Sequence, residues 1–197
     1  MTAVERREQL LEVARGLFAE RGFEGSAIEE VANRAAVSKP IVYEHFGGKE
    51  GLYAVVVDRE VNLLLAMMRE ALTAGTSRAL LEQAAIALLD YIEQHPEGFR
   101  ILVRDTRVGT SASFQTIIGD VATRVEGILM EAFTRRGLDP KTAPMYAQML
   151  VGMVGTTGQW WLDTRQPDRH VVAAHLVNLA WNGLSGLEQE PELLTRG

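Results

Sequence analysis

The sequence predicts an all-α protein of about nine helices, with a three-helix head joined to a larger helical body. Apolar residues recur at three- and four-residue spacings along most of the chain. Helix-ending residues, among them Gly22, Gly47-Gly48, Pro96 and Gly137, fall between the periodic runs, and Pro140 opens the next helix after Gly137. No stretch alternates apolar and polar residues long enough to make a strand. With 47% hydrophobic residues in 197, the chain can bury a substantial core.

The first helix is expected to run from about residue 3 to 21. Leu10, Ala14, Leu17 and Phe18 line one face, while Glu5, Arg6, Glu8, Glu12 and Glu20 take much of the rest. Gly22 is its expected C-terminal stop, and Phe23 is placed to fold back on the last turn. Ser26 and Glu29 have the spacing of a capping box for a second helix, whose buried side holds Ile28, Val31, Ala32 and Ala35. Ala35-Ala36-Val37 reads as a tight turn. Ser38 is the N-cap of a third helix, and Pro40 sits in its first turn, where a missing N–H costs little. Ile41 and Phe46 are assigned to the core. Lys39, Val42, Tyr43 and His45 are assigned to the outer side, and Lys49 opens the next helix.

Two short helices crossing at a tight turn make a helix-turn-helix, which places its second helix in a DNA major groove. The side chains suit that task. Ser38 and the helix N-terminus can meet a phosphate. Lys39 reaches base or phosphate, and Pro40 and Val42 offer apolar contact to thymine methyls. Tyr43, His45 and Lys49 donate to phosphate oxygens. Total charge is −6 and the pI is about 5.3, so any DNA-facing surface must be local. Residues 34–49 carry +2 (Arg34, Lys39 and Lys49 against Glu44), which leaves −8 on the rest.

The run VANRAAVSKPIVYEHFGGKEGLY resembles the signature of the TetR family of transcriptional regulators, I-A-x-x-A-G-V-S, then L-Y-x-H/Y-F and K-E-x-L. The matching residues are Val31, Ala32, Ala35, Val37, Ser38, Tyr43, His45, Phe46, Lys49, Glu50 and Leu52. Upstream, Ala14, Leu17, Phe18, Gly22 and Phe23 match A-x-x-L-F-x-x-x-G-F. The resemblance covers about the first quarter of the chain. Two positions depart from it: Ala36 stands where glycine is usual, and Gly48 where serine is frequent. The resemblance implies a DNA-binding head over residues 1–50. It also implies a ligand-binding and dimerisation body over 51–197, and a ligand-responsive repressor that binds a palindromic double-stranded operator as a homodimer. The alternative is a helical small-molecule-binding or scaffolding protein that no longer reads DNA.

In the body, residues 142–162 hold no charged side chain, and Gly152, Gly155 and Gly158 recur every three residues. This reads as a helix buried on most sides rather than a membrane span, because Gln148, Thr156, Thr157 and Gln159 interrupt it. With the last helix it would form a four-helix interface between two copies. The candidates for that interface are Gly152, Gly155, Gln159, Trp160, Val172, Leu176 and Leu179. A family-type effector pocket would draw on Met67, Met68, Tyr91, Phe99, Leu102, Arg104, Phe114, Ile118, Met149 and Met153. Such a methionine-rich lining suits a small, largely apolar ligand.

Catalytic patterns are missing. Gly48-Lys49 lacks the rest of a P-loop, and there is no G-x-S-x-G or H-E-x-x-H. The chain has no cysteine, which excludes disulfides and thiolate metal sites. We therefore expect no enzyme, cofactor or metal. The N-terminus has no secretory signal, so a cytoplasmic protein without a membrane partner is expected.

Overall fold

The computed structural model describes residues 2–73, 75–104 and 114–192, and leaves the side chains of residues 104, 114–118, 120 and 121 undescribed. Among the described residues there are nine α-helices and no strand. They are α1 (Ala3–Arg21), α2 (Ile28–Arg34), α3 (Lys39–Phe46), α4 (Lys49–Ala71), α5 (Ser77–Gln94), α6 (Pro96–Arg104), α7 (Phe114–Arg136), α8 (Ala143–Thr164) and α9 (Arg169–Ser185). A single 3₁₀ turn, Pro140–Thr142, precedes α8 and takes the place of the helical start expected at Pro140. The helices form two compact units. The first holds α1–α3, α4 to Met67, α5 from Tyr91, and α6. The second holds α4 from Met68, α5 to Asp90, α7 from Ile118, α8 and α9.

The first unit is built on α1. Leu10, Ala14, Leu17 and Phe18 are at most 1% exposed, as their spacing requires. Val31 and Ala32 of α2, Val42 of α3, and Leu52, Tyr53 and Val56 of α4 are buried in the same unit. Each fully buried Leu or Phe contributes roughly 1.5–3 kcal/mol. Tyr53 stands edge-on to both Phe18 and Phe23 at 4.9 Å. Phe23 stacks back on Phe18 at 6.3 Å. The turn that aims Phe23 needs Gly22 at φ 73°, where its N–H caps the Phe18 carbonyl.

Four details differ from the sequence expectation. Ser26 makes no capping box. Ala27 is the N-cap of α2, and the buried Ser26 hydroxyl donates to the Gly22 carbonyl at 2.6 Å. The loop is thereby tied to the end of α1, which outcompetes a local cap. A capping box exists instead at Thr2 and Glu5. Val42 is wholly buried and Ile41 only half-buried, the reverse of their assignment. In an eight-residue helix adjacent apolar residues fit the periodicity almost equally, and packing against α1 and α2 chooses between them. Third, α8 is not buried on most sides, because Met145, Met149, Gly152, Thr156, Gln159 and Trp160 face outward. Fourth, Val172 and Leu176 are 5% and 6% exposed within one chain. They belong to the core of the second unit rather than to a surface free for a partner.

A buried polar group sits deeper in the first unit. The Glu60 carboxylate is 2.8 Å from Arg15 Nε and accepts a 2.8 Å bond from the Tyr91 hydroxyl. Glu60 is 5% exposed and Tyr91 0%. Gly98 makes room for them: a Cβ there would overlap the carboxylate and lie 2.7 Å from the Tyr91 hydroxyl.

In the second unit, Leu129, Phe133, Leu138, Ala143 and Ala147 form a core against which Tyr146 packs edge-on to Phe133 at 5.4 Å. Gly137 stops α7 at φ 71°, and the Leu138 N–H returns to the Phe133 carbonyl at 3.0 Å. Trp161 is 1% exposed and donates its indole N–H to the Pro167 carbonyl at 2.7 Å, locking the corner between α8 and α9.

Candidate nucleic-acid interface

The turn between α2 and α3 closes as a Schellman motif. The Val37 N–H reaches the Ala32 carbonyl at 2.9 Å, with Ala36 at φ 54°. That left-handed conformation is why glycine is usual there, and alanine in it costs about 1 kcal/mol. Ser38 then caps α3 in position but makes no side-chain cap bond, which leaves its hydroxyl at the surface. Pro40 occupies the first turn. Gly47 ends the helix at φ 73°, and Gly48 follows at φ 141°. A serine at Gly48 would be strained in that conformation.

Two α1 side chains brace this motif from behind. Arg7 donates to the His45 carbonyl at 2.9 Å and lies 4.5 Å over the Phe46 ring. Gln9 donates to the Ala35 carbonyl at 3.2 Å. Both carbonyls are orphans near helix C-termini, so α1 holds the ends of α2 and α3 at once.

Of the residues expected on the DNA-facing side, Ser38, Lys39, Pro40 and Tyr43 are exposed, and His45 and Lys49 are half-buried. Val42, buried beneath them, cannot touch a base and is removed from the set. Tyr43 is 46% exposed, and the Lys39 ammonium lies 5.7 Å over its ring. His45 leans on Phe46 at 6.0 Å. The Lys49 ammonium sits 4.2 Å over the Phe23 ring, which fixes the start of α4 against the end of α1.

Sequence reasoning misses Glu29, which its spacing from Ser26 assigns to a capping box. Its carboxylate accepts a hydrogen bond from the Lys39 ammonium. That bond is the leading cause that raises the lysine's affinity for its proton and lowers the glutamate's pKa below the usual carboxylate range. No local pattern links residues ten apart across a turn, so only the crossing of α2 and α3 brings them together. Arg34 is likewise engaged, by Glu20 at 3.0 Å and Glu30 at 2.8 Å. The +2 counted from the sequence is therefore largely neutralised within the head.

The residues expected to line an effector pocket divide between the two units. Met67, Tyr91, Phe99 and Leu102 belong to the first unit, and Met68, Met149 and Met153 to the second. Tyr91, Phe99 and Leu102 are 0% exposed core, and Met149 is 55% exposed on the outward side of α8. Arg104, Phe114 and Ile118 lie outside the described side chains. A cleft of about 250 Å³ in the first unit is lined by Leu11, Glu12, Arg15, Val56, Arg59, Glu60, Leu63 and His95, none of them an expected pocket residue.

Comparison with known proteins agrees with this geometry at both ends of the chain. Residues 10–56 match the model for bacterial regulatory proteins of the tetR family, and residues 77–183 match a tetracyclin repressor-like C-terminal domain. The HTH-type transcriptional activator FasR of Mycolicibacterium smegmatis is 33% identical over 184 residues, covering 92% of this chain and 84% of its own. A TetR-like transcriptional regulator from Rhodococcus sp. RHA1 superposes with a TM-score of 0.73 at 26% identity, covering 95% of this chain and 99% of that one. FadR of Bacillus subtilis, solved in complex with stearoyl-CoA, shares the fold with a TM-score of 0.69 at 18% identity, over 92% of this chain and 99% of its own. A helix-turn-helix head braced by α1, followed by a matching helical body, places the chain in the TetR family of DNA-binding transcriptional regulators.

Proposed function

We propose that the protein is a homodimeric, ligand-responsive repressor acting in the cytoplasm on a palindromic operator. Each subunit sets α3 in a major groove, with Lys39 at base edges. Ser38, Tyr43, His45 and Lys49 lie along the phosphates. The observation that carries this reading is the exposed row of Ser38, Lys39, Pro40 and Tyr43 on a helix whose opposite side is anchored by buried Val42 and by Arg7. The residue boundary of the head is proposed at 50 and that of the effector and dimerisation body at 51–197.

Two copies are needed because a two-fold dimer matches a two-fold operator. Support for the dimer face comes from the outward apolar residues of α8 and α9: Met145, Met149 and Trp160 on one, Val171 and Leu179 on the other. Gly152 and Gln159 share that side of α8, and Gly155 is half-buried beside them. The small, largely apolar effector expected from the methionine-rich residues would be matched by an acyl chain, and by analogy with the stearoyl-CoA complex of FadR the proposed effector is a long-chain acyl thioester, apolar in its chain and anionic in its CoA head. It must bind the DNA-incompetent state more tightly than the competent one, or it shifts nothing. The activator name of FasR supports a second reading, in which the same dimer raises transcription from its site.

Selection of bound sequences from a random DNA pool is the primary test. The expected product is an inverted repeat with two half-sites at fixed spacing. A pool that stays unenriched at low salt would leave a helical binding or scaffolding protein as the better description. With the selected site in hand, adding long-chain acyl-CoA should release the protein, and release by none of several chain lengths would remove the acyl assignment.

Lys49→Ala gives a narrower check. It should weaken binding to every sequence alike and make the log–log salt dependence shallower by about 0.9 for each phosphate that a subunit no longer neutralises. An unchanged slope would confine Lys49 to its packing on Phe23.

A further inference from the structure

We propose that Glu29 and Lys39 read one G·C base pair together, so that Glu29 determines specificity although it lies outside the recognition helix. The inference deepens the DNA-binding reading above and rests on it. Glu29 lies in the first turn of α2 and Lys39 begins α3. Their side chains are 60% and 45% exposed and joined by a hydrogen-bonded ion pair. Tyr43, on the same side of α3, lies under the ammonium.

The pair presents a cationic N–H donor and an anionic acceptor side by side. In the major groove a G·C pair presents the complement, with guanine O6 and N7 as acceptors beside the cytosine N4 amino donor. Lysine to guanine and glutamate to cytosine N4 are both favoured pairings. An A·T pair also offers donor and acceptors, but its thymine methyl stands beside O4, where a charged pair gains nothing from apolar contact.

Charge explains why both residues are needed. On DNA without the matching pair, the Glu29 carboxylate keeps Lys39 occupied, so the lysine releases no counterion from a phosphate. The carboxylate itself repels the backbone. Only a base pair that satisfies donor and acceptor together repays opening the ion pair. An acidic chain thus converts a scarce positive charge into discrimination rather than general affinity.

The test compares wild type, Glu29→Gln and Lys39→Gln in random-pool selection and in salt titrations on non-operator DNA. Glu29 is exposed, so the substitution should leave the fold intact. Both variants should lose preference at the same G·C position of each half-site, by about 5- to 150-fold. Glu29→Gln should at the same time tighten non-operator binding and steepen its salt slope by about 0.9 per subunit, because Lys39 is released to a phosphate. The inference falls if the two variants affect different positions, if the shared position is A·T, or if Glu29→Gln leaves preference and slope unchanged. A wild-type protein that enriches no site at all would sink the DNA-binding reading, and this inference with it. A wild type that enriches a site which Glu29→Gln reads identically would sink the inference alone.

Discussion

Leu179→Glu is expected to leave the protomer folded, to convert it to a monomer, and to lower operator affinity by about 10²- to 10⁴-fold. Leu179 is 66% exposed, so its replacement leaves the core packing intact. It stands with Val171 on the outward side of α9, while Val172, Leu176 and Val177 fill the inward side. The outward side of α8 adds Met145, Met149 and Trp160, which are 49%, 55% and 52% exposed. Exposed large apolar side chains gathered on neighbouring helices mark an interaction surface. In a two-fold interface the same face of each copy is buried. A glutamate on that face is buried without a partner, which costs several kcal/mol. The weaker affinity follows from effective concentration. Two heads on one body bind the second half-site as an intramolecular event, and separate heads forgo a gain of about 10²–10⁴. Sedimentation velocity and operator titration read the two effects separately. A variant that remains dimeric would move the interface off this face.

Arg15→Met is expected to lower stability by about 3–5 kcal/mol. For a chain of this size that corresponds to a melting temperature lower by about 6–20 °C. Arg15 is the cation facing Glu60, at 2.8 Å, and the Glu60 side chain is 7% exposed. Without it, the buried carboxylate keeps, among the described residues, the Tyr91 hydroxyl as its hydrogen-bond donor. The aliphatic part of Arg15 is replaced by methionine at similar volume, so the effect reports the charge rather than a cavity. A destabilisation below about 1 kcal/mol in a denaturant titration would show that the Arg15–Glu60 pair contributes little to folding.

The same group predicts an alkaline limb. Burial first, and then the Glu60 charge, push the Tyr91 hydroxyl pKa above its ordinary value of 10.0. The folded protein therefore holds a proton that the unfolded chain releases. The associated stability is present below about pH 10 and is lost as pH rises past it, at up to about 1.4 kcal/mol per pH unit. Tyr91→Phe should be less stable at neutral pH and should lack this limb. Equal alkaline slopes in both proteins would free Tyr91 from the assignment.

The order and ends of the helices were legible in the sequence because they depend on local backbone chemistry. Gly22, Gly47 and Gly137 adopt the positive φ that a helix end demands, and Pro96 opens α6 where proline is tolerated. Even the strain at Ala36 could be anticipated from a missing glycine, and its φ of 54° agrees. The head of the fold was legible for the same reason, since its spacing of small, apolar and capping residues is read within one or two turns of helix.

Which side of a helix faces inward was less legible where apolar residues adjoin. Ile41 and Val42 differ by one position, as do Val171 and Val172, and only the neighbouring helices settle which is buried. Long-range polar partners left no trace at all. Arg15, Glu60 and Tyr91 come from three helices, and Lys39 finds Glu29 across a turn. By itself, then, the sequence determined the all-α class, the helix-turn-helix and most helix boundaries, because those rest on φ, ψ and periodicity. Tertiary structure alone decided which charges cancel, which apolar side chains remain outside, and therefore what the small basic head has left to offer DNA. Those outcomes depend on distances between residues far apart in the chain, and no local rule encodes such distances.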